Sequence, residues 1–449
     1  MLLRFEVSNH RSIDEPVELS MVAVDEDRSA ARSFDLINEK VLTVAGIYGP
    51  NASGKSNVLD AMSWLSHAVA SSLRAWEDVV PRDPFRFNDG PARPTSFAVE
   101  MMVRDVRYSY QLELDGDRVR YEALFGFPER RPRRLFERED TRLYIRRGLG
   151  SLSGVRELLT PTTLALSAST RYDSEVREFG QKLGSIRFQG RPRLHVGNGR
   201  IFSSVGGSYD PMRTTNGLIM DFTDGRHSGD DAVSILDLLR YADLGIDDFE
   251  IVENPGDGLP DFLRRSVRLV HRAAGERHSF EIAEESEGTQ TWYRLIGPVL
   301  TALRSGQILL FDEIDASLHP RLSAKLLELF QDPETNPRGA QLIFTSHDTS
   351  LLNSLNRDEV WLTEKTGGRV DDTGGAGRVR RGQGAPFTEP GEGVPAGPVR
   401  SRSRAGSGAA PPGARAHLGG RTVSRDADAG PQPHSPGESA YVPLGRRFF

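Results

Sequence analysis

No cysteine occurs among the 449 residues. This excludes a disulfide framework, a Cys-ligated zinc site, an iron–sulfur cluster and thiol catalysis, and it fits a reducing, cytoplasmic location. There is no uninterrupted apolar run of about 18 residues, so no membrane-spanning helix is expected. The opening MLLRFEVSNHRS lacks a basic stretch followed by an apolar one, so it does not read as a secretory signal. An excess of positive charge is also missing. The 57 Lys+Arg and 63 Asp+Glu leave −6, which argues against a globally basic nucleic-acid binder but leaves room for a local basic groove.

Scarcity is sharpest at the C-terminal end. Residues 367–449 hold no Ile, Met, Asn or Lys and two Leu, against 18 Gly, 10 Pro, 12 Arg and 11 Ala. Such a segment cannot bury enough apolar surface to offset its chain entropy, so it is expected to be disordered. It carries +5, which leaves −11 on residues 1–366. GC-rich DNA read out of frame yields the same Gly, Ala, Arg and Pro bias. Codons permitted for Val370 through Arg380, read from the second base, can spell Ser-Thr-Thr-Leu-Val-Ala-Leu-Ala-Glu-Phe. Those for Val394 through Arg402 can spell Tyr-Leu-Gln-Gly-Arg-Phe-Gly-Ala in the same frame. A single-base shift near Gly367–Val370 is the expectation.

The first 366 residues have globular patterning. Leu3, Phe5 and Val7 alternate as a strand, followed by a turn at Asn9–Ser12 and a second strand at Val17–Val22. Val41–Tyr48 reads as a buried strand, and Ser56 to about Leu73 has helical periodicity. Phe97–Val103, Tyr108–Asp115 and Val119–Phe125 read as a meander, with Asp115-Gly116-Asp117 as a hairpin turn. Residues 150–265 look mainly helical, most clearly at Val233–Tyr241. Strands are expected at Val267–Arg272, His278–Ala283, Gln307–Phe311 and Gln341–Phe344, and helices at Thr291–Leu303 and Pro320–Phe330.

Between the strand at Val41–Tyr48 and the following helix lies Gly49-Pro-Asn51-Ala52-Ser53-Gly54-Lys55-Ser56, a match to G-x-x-x-x-G-K-[ST]. In this setting the backbone N–H groups face a phosphate at a helix N-terminus. Lys55 would reach the β/γ-phosphates of ATP, and Ser56 would ligate Mg²⁺. Gln307–Phe311 ends in Asp312-Glu313, an unusual end for a strand buried on both faces. Asp312 is the candidate Mg²⁺ partner, and Glu313 the candidate to orient and deprotonate the attacking water. A second apolar strand ends in Thr345-Ser-His347, where His347 suits a γ-phosphate sensor.

This order of motifs resembles the ABC-type ATPase heads of the SMC, RecF and OLD group, and more closely the bacterial AAA family ATPases linked to abortive infection and antiphage defence. The resemblance covers about residues 1–366. Phe5-Glu-Val-Ser-Asn-His-Arg-Ser-Ile is similar to their first strand and Asn-Phe-Arg-Ser turn, with His10 in place of Phe. Gly49–Asn57 resembles their phosphate loop, and Glu285-Ser286-Glu287-Gly288-Thr289-Gln290 their version of the ABC signature. Asp312-Glu313-Ile-Asp315-Ala-Ser317-Leu-His319-Pro320 resembles Walker B plus D-loop, and Thr345-Ser-His347-Asp348 the H-loop. No Q-loop glutamine stands out. Arg86 or Asn88 sits about where one is expected, and the role is left open.

The resemblance implies an α/β P-loop head with an antiparallel β-meander and a helical insertion. The ATPase lobes would be 1–149 and 266–366, the insertion 150–265, and the tail 367–449. It implies a head-to-tail dimer that forms on ATP, in which Ser286, Gly288 and Thr289 complete the partner's site, and it makes Asp315 of the D-loop a further nucleotide-binding candidate. ATP and Mg²⁺ are the expected cofactors. A companion effector or nuclease and nucleic acid are the further partners it suggests, in antiphage defence or DNA maintenance. An OLD-type nuclease would need a further structured domain that the tail does not offer. Glu313 argues against a nucleotide-locked scaffold. Ser286–Gln290 also reads as an ordinary capped helix start with acidic residues in its first turn. The clusters Arg130, Arg131, Arg133, Arg134 and Arg146, Arg147 read as solvated loops, and Trp64, Trp76 and Trp292 as core or interface packing.

Overall fold

The computed structural model describes residues 1–24, 30–35, 37–147, 149, 154–172, 174–190, 194–197, 200–203, 211–225, 235–253, 265–273, 275–365, 377–378 and 447–448. The expected disorder and frame shift of the tail therefore fall outside the described residues, apart from two two-residue strands, Gly377–Arg378 and Arg447–Phe448. Met1–Gly384 with Gly445–Phe449 form one compact unit, and 385–444 lie wholly outside the described residues.

The fold is mixed α/β, built on two sheets. The parallel sheet runs, in spatial order, Arg187–Gln189, Ile308–Phe311, Gln341–Thr345, Val44–Tyr48, Val360–Leu362 and Arg447–Phe448. Its central strands are apolar because both faces are covered. Ala45, Ile47, Ile308, Leu310 and Ile343 face a core shared with the helix Lys55–Ala75 and the antiparallel sheet. Val44, Tyr48, Leu309, Phe311, Leu342 and Phe344 face a second core with the helices Glu287–Ser305 and Pro320–Gln331. The strict two-residue alternation between cores fixes the register, since a one-residue slip would exchange every side chain.

The antiparallel sheet has seven strands. Leu2–Ser8 pairs with Val17–Ser20 on one side and Thr95–Val103 on the other. The meander continues through Val106–Leu114, Val119–Phe127, Arg133–Glu139 and Arg142–Ile145. The Asp115 turn forms as the sequence suggests, with its carboxylate oxygen accepting N–H bonds from Asp117 and Arg118, both at 2.9 Å. Gln341 ties the two sheets together: its side chain accepts from Leu2 N–H at 2.5 Å and donates to Leu2 and Leu42 carbonyls at 2.9 Å.

The segment 150–265 does supply helices, at Val155–Leu158, Ala165–Ser169, Ser174–Leu183, Pro211–Thr223 and Ile235–Ala242. It also supplies strands the periodicity did not single out, including Arg187–Gln189 in the parallel sheet and Ile246–Glu253 in a small antiparallel sheet. One of its helices, Pro211–Thr223, packs against the helix Glu287–Ser305. Pro298 lies inside Glu287–Ser305, where it interrupts helical hydrogen bonding. The Thr215 hydroxyl enters at that point, donating to Tyr293 carbonyl at 2.8 Å and accepting from Gly297 N–H at 2.9 Å.

The buried polar network around Glu122 anchors the loop before Ala165–Ser169. Glu122 is fully buried and accepts from Ala165 N–H (2.6 Å), Leu166 N–H (2.7 Å) and Tyr110 hydroxyl (3.0 Å). Arg138, also buried, donates to the carbonyls of Thr160, Pro161 and Thr163. Burial pushes the Glu122 carboxyl up, against the opposing charge of Arg138. Glu122→Ala leaves three buried donors unpaired and Arg138 uncompensated. It is expected to lower stability by about 3–5 kcal/mol, and Glu122→Gln by less, as read by urea denaturation.

Candidate nucleotide-binding site

The phosphate loop leaves the parallel sheet at Tyr48 and enters the helix Lys55–Ala75 through Gly54, whose φ of +97° a side chain would resist. No side chain caps that helix start, so its first N–H groups face the loop. Lys55 is 5% exposed, and its ammonium donates to the carbonyls of Gly49 (2.8 Å) and Pro50 (2.9 Å). Burial lowers the Lys55 pKa, opposed by the charges of Asp312, Asp315 and Glu313. Those carboxylates, about 260 positions away in sequence, thus act on Lys55 in space. Asn51 and Ala52 are exposed, Ser56 and Asn57 partly so, and Ser53 is buried.

The N-terminal turn clamps this helix. His10 Nε2 lies 2.8 Å from Asp60 Oδ2, and Arg11 Nε lies 2.7 Å from the same oxygen. His10 and Asp60 are each 1% exposed. Asn57 Nδ2 donates to Ser12 Oγ at 2.6 Å. The Asn-His-Arg-Ser turn is therefore a fixture for the first two turns of the phosphate-loop helix.

At the end of Ile308–Phe311, Asp312 is 8% exposed, and Glu313 is exposed with φ +55°. Thr345, at the end of the neighbouring strand, holds both. Its hydroxyl donates to Asp312 Oδ1 at 2.7 Å and accepts from Glu313 N–H at 2.7 Å. His347 is exposed, and its N–H donates to Asp315 Oδ1 at 3.2 Å. Walker A, Asp312, Glu313, Asp315 and His347 thus gather at the same edge of one sheet.

The signature residues form a separate group. Ser286 caps Glu287–Ser305, accepting from Thr289 N–H at 3.2 Å, with the two hydroxyls 2.9 Å apart. The capped-helix reading of this stretch is therefore correct. Among the described residues, no hydrogen bond or ion pair joins Ser286, Gly288 or Thr289 to the phosphate loop.

The open glutamine position receives a third candidate. Gln189 ends the strand that pairs with Ile308–Phe311, and its carbonyl accepts Asp312 N–H at 2.8 Å. Arg86 instead pairs with Asp83 at 3.4 Å, and Asn88 occupies a turn with φ +53°. A three-residue strand carries too little periodicity to be found from sequence. The apolar Ile186 and Phe188 just before Gln189 were the available signal.

Residues 44–353 match the family model described as "AAA domain, putative AbiEii toxin, Type IV TA system". The chain belongs to that family. No curated protein matches this AAA-domain chain. Among solved structures it is similar to an SMC head bound to the C-winged helix domain of ScpA, at 14% identity and TM-score 0.40, covering 80% of this chain and 96% of that one. It is also similar to the SMC head domain from Thermotoga maritima, at 14% identity and TM-score 0.35, covering 81% and 94%. No helix among the described residues of the AAA-domain protein is long and apolar enough to cross a membrane.

The donor set fits a Mg²⁺-nucleotide. An uncapped helix N-terminus and a buried ammonium suit phosphate, and a carboxylate clamped by the Thr345 hydroxyl suits a hard cation. Thr345→Val keeps the shape of Thr345 while removing both of its bonds. It should slow Mg²⁺-dependent ATP hydrolysis about tenfold and leave metal-free ATP binding unchanged, as read by phosphate release and nucleotide titration in EDTA.

Proposed function

We propose that the chain is a Mg²⁺-dependent ATPase head whose cycle drives a conformational switch. The observation that carries this reading is the parallel pairing that sets the Asp312–Thr345 pair beside the strand leading into the phosphate loop. The backbone of Gly49, Asn51, Ala52, Ser53 and Gly54, with Asn57 in the first turn, shapes the cradle. Lys55 would exchange its two loop carbonyls for phosphate oxygens. Ser56 and Asp312 would hold Mg²⁺, which supplies charge neutralisation when bound.

Glu313 is the general base. It follows the clamped Asp312, its N–H is fixed by Thr345, and it is exposed to solvent, where a water can reach it. His347 contacts the γ-phosphate side, steered by the bond between its N–H and Asp315. Ser286, Gly288 and Thr289 would serve a second copy, in a head-to-tail dimer closed by ATP and opened by hydrolysis. The exposed Glu287 and Gly288 around a capped helix start support this placement. The biological setting we infer is antiphage defence or DNA maintenance, with a companion effector or nuclease and nucleic acid as its partners.

Glu313→Gln tests the assignment. Phosphate release should fall by at least about 100-fold while ATP affinity is kept, since removing a general base spares binding. Unchanged release would exclude Glu313 as the base.

A further inference from the structure

We infer that Thr363, which lies outside every nucleotide-binding motif, is a positioning residue that latches the phosphate loop. It follows the strand Val360–Leu362, which pairs in parallel with Val44–Tyr48 so that Leu362 stands opposite Tyr48. The next residue therefore arrives level with the start of the loop. Thr363 N–H donates to Tyr48 carbonyl at 2.8 Å, and its hydroxyl donates to the same carbonyl at 3.2 Å. That hydroxyl also lies 2.5 Å from Ser53 Oγ, in the middle of the loop.

Two features make this contact a constraint. Thr363 and Ser53 are each 2% exposed, so water cannot replace the bond when it is lost. The loop also passes very close: a Cβ on Gly49 would lie 2.3 Å from Thr363 Oγ1 and 2.5 Å from its carbonyl oxygen. Thr363 is thus wedged between the first residue of the loop and its serine. The Lys55 bonds to Gly49 and Pro50 engage the ammonium a phosphate would claim, whereas the Ser53–Thr363 bond uses no backbone N–H that a phosphate needs.

The segment that carries the latch is itself tied down. Upstream of Thr363, Asp358 accepts Val24 N–H at 2.9 Å, and Glu359 accepts Asn356 N–H at 2.7 Å in a reciprocal cap. The geometry of the phosphate loop therefore depends on a residue four positions before the compositional break at 367.

This inference rests on the proposed ATP site, and the experiment separates the two. In the full-length chain, Thr363→Val keeps the side-chain shape and removes the hydroxyl. The Kd for ATP and the KM should rise about tenfold, with the change in KM rather than kcat, and Thr363→Ser should restore both. Ser53→Ala should give the same rise from the loop side, and combining it with Thr363→Val should add little more. It also serves if Thr363→Val lowers the melting temperature. Lys55→Ala is the control for the site itself. If ATP binding is lost in Lys55→Ala but unchanged in Thr363→Val and Ser53→Ala, the latch is overturned and the site stands. Multiplying effects in the double variant overturn it as well. If the wild-type chain binds no ATP, both fall.

Discussion

Three parallel strands in fixed register are the constraint on which the site depends. Val44–Tyr48, Gln341–Thr345 and Ile308–Phe311 lie side by side, pairing Thr345 with Ile47 and Phe344 with Phe311. Each ends in chemistry: the phosphate loop, Thr345 to His347, and Asp312-Glu313. About 260 residues separate the first from the third, so only the sheet brings them together. The register is enforced by burial, because adjacent residues point into different cores and a slip would expose or misplace whole rows of Leu, Ile and Phe.

A second tier of residues turns that coarse placement into geometry. Thr345 fixes the Asp312 carboxylate and the Glu313 backbone together. His10 and Arg11 share one oxygen of Asp60 and hold the phosphate-loop helix. Thr215 bridges the bonds around Pro298 in the helix Glu287–Ser305. Each is a buried or partly buried hydrogen bond or ion pair between segments far apart in sequence, so each ties a distant segment to its place in the fold.

The sequence made some of this readable and hid the rest for physical reasons. Gly54, Lys55, Asp312 and Glu313 stood out because phosphate and metal chemistry call for those residue types at short fixed spacings, and the paired strands bring their segments to neighbouring strand ends. The long strands and helices were legible because Leu3, Phe5 and Val7, or Val58, Leu59 and Met62, repeat with a clear period. Gln189 and Thr363 were not, because Gln189 ends and Thr363 follows a three-residue strand too short to carry a usable period. Thr345 was visible only as part of a motif, since its role depends on a partner 33 residues away. Arg133 and Arg134 read as part of a solvated loop but open the strand Arg133–Glu139 of the antiparallel sheet, because charged side chains can alternate with buried Leu135 and Phe136 on a half-exposed strand.

The reading of Lys55, Ser56 and Asp312 as one Mg²⁺-nucleotide site has a direct test in the metal dependence of ATP binding. A fluorescent ATP analogue is titrated against wild-type protein and Asp312→Asn, each with Mg²⁺ and with EDTA. Mg²⁺ should tighten binding to the wild type by about tenfold or more, and Asp312→Asn should abolish that gain while leaving metal-free affinity intact. An undiminished Mg²⁺ effect in Asp312→Asn would contradict the assignment of the Walker B carboxylate to the metal.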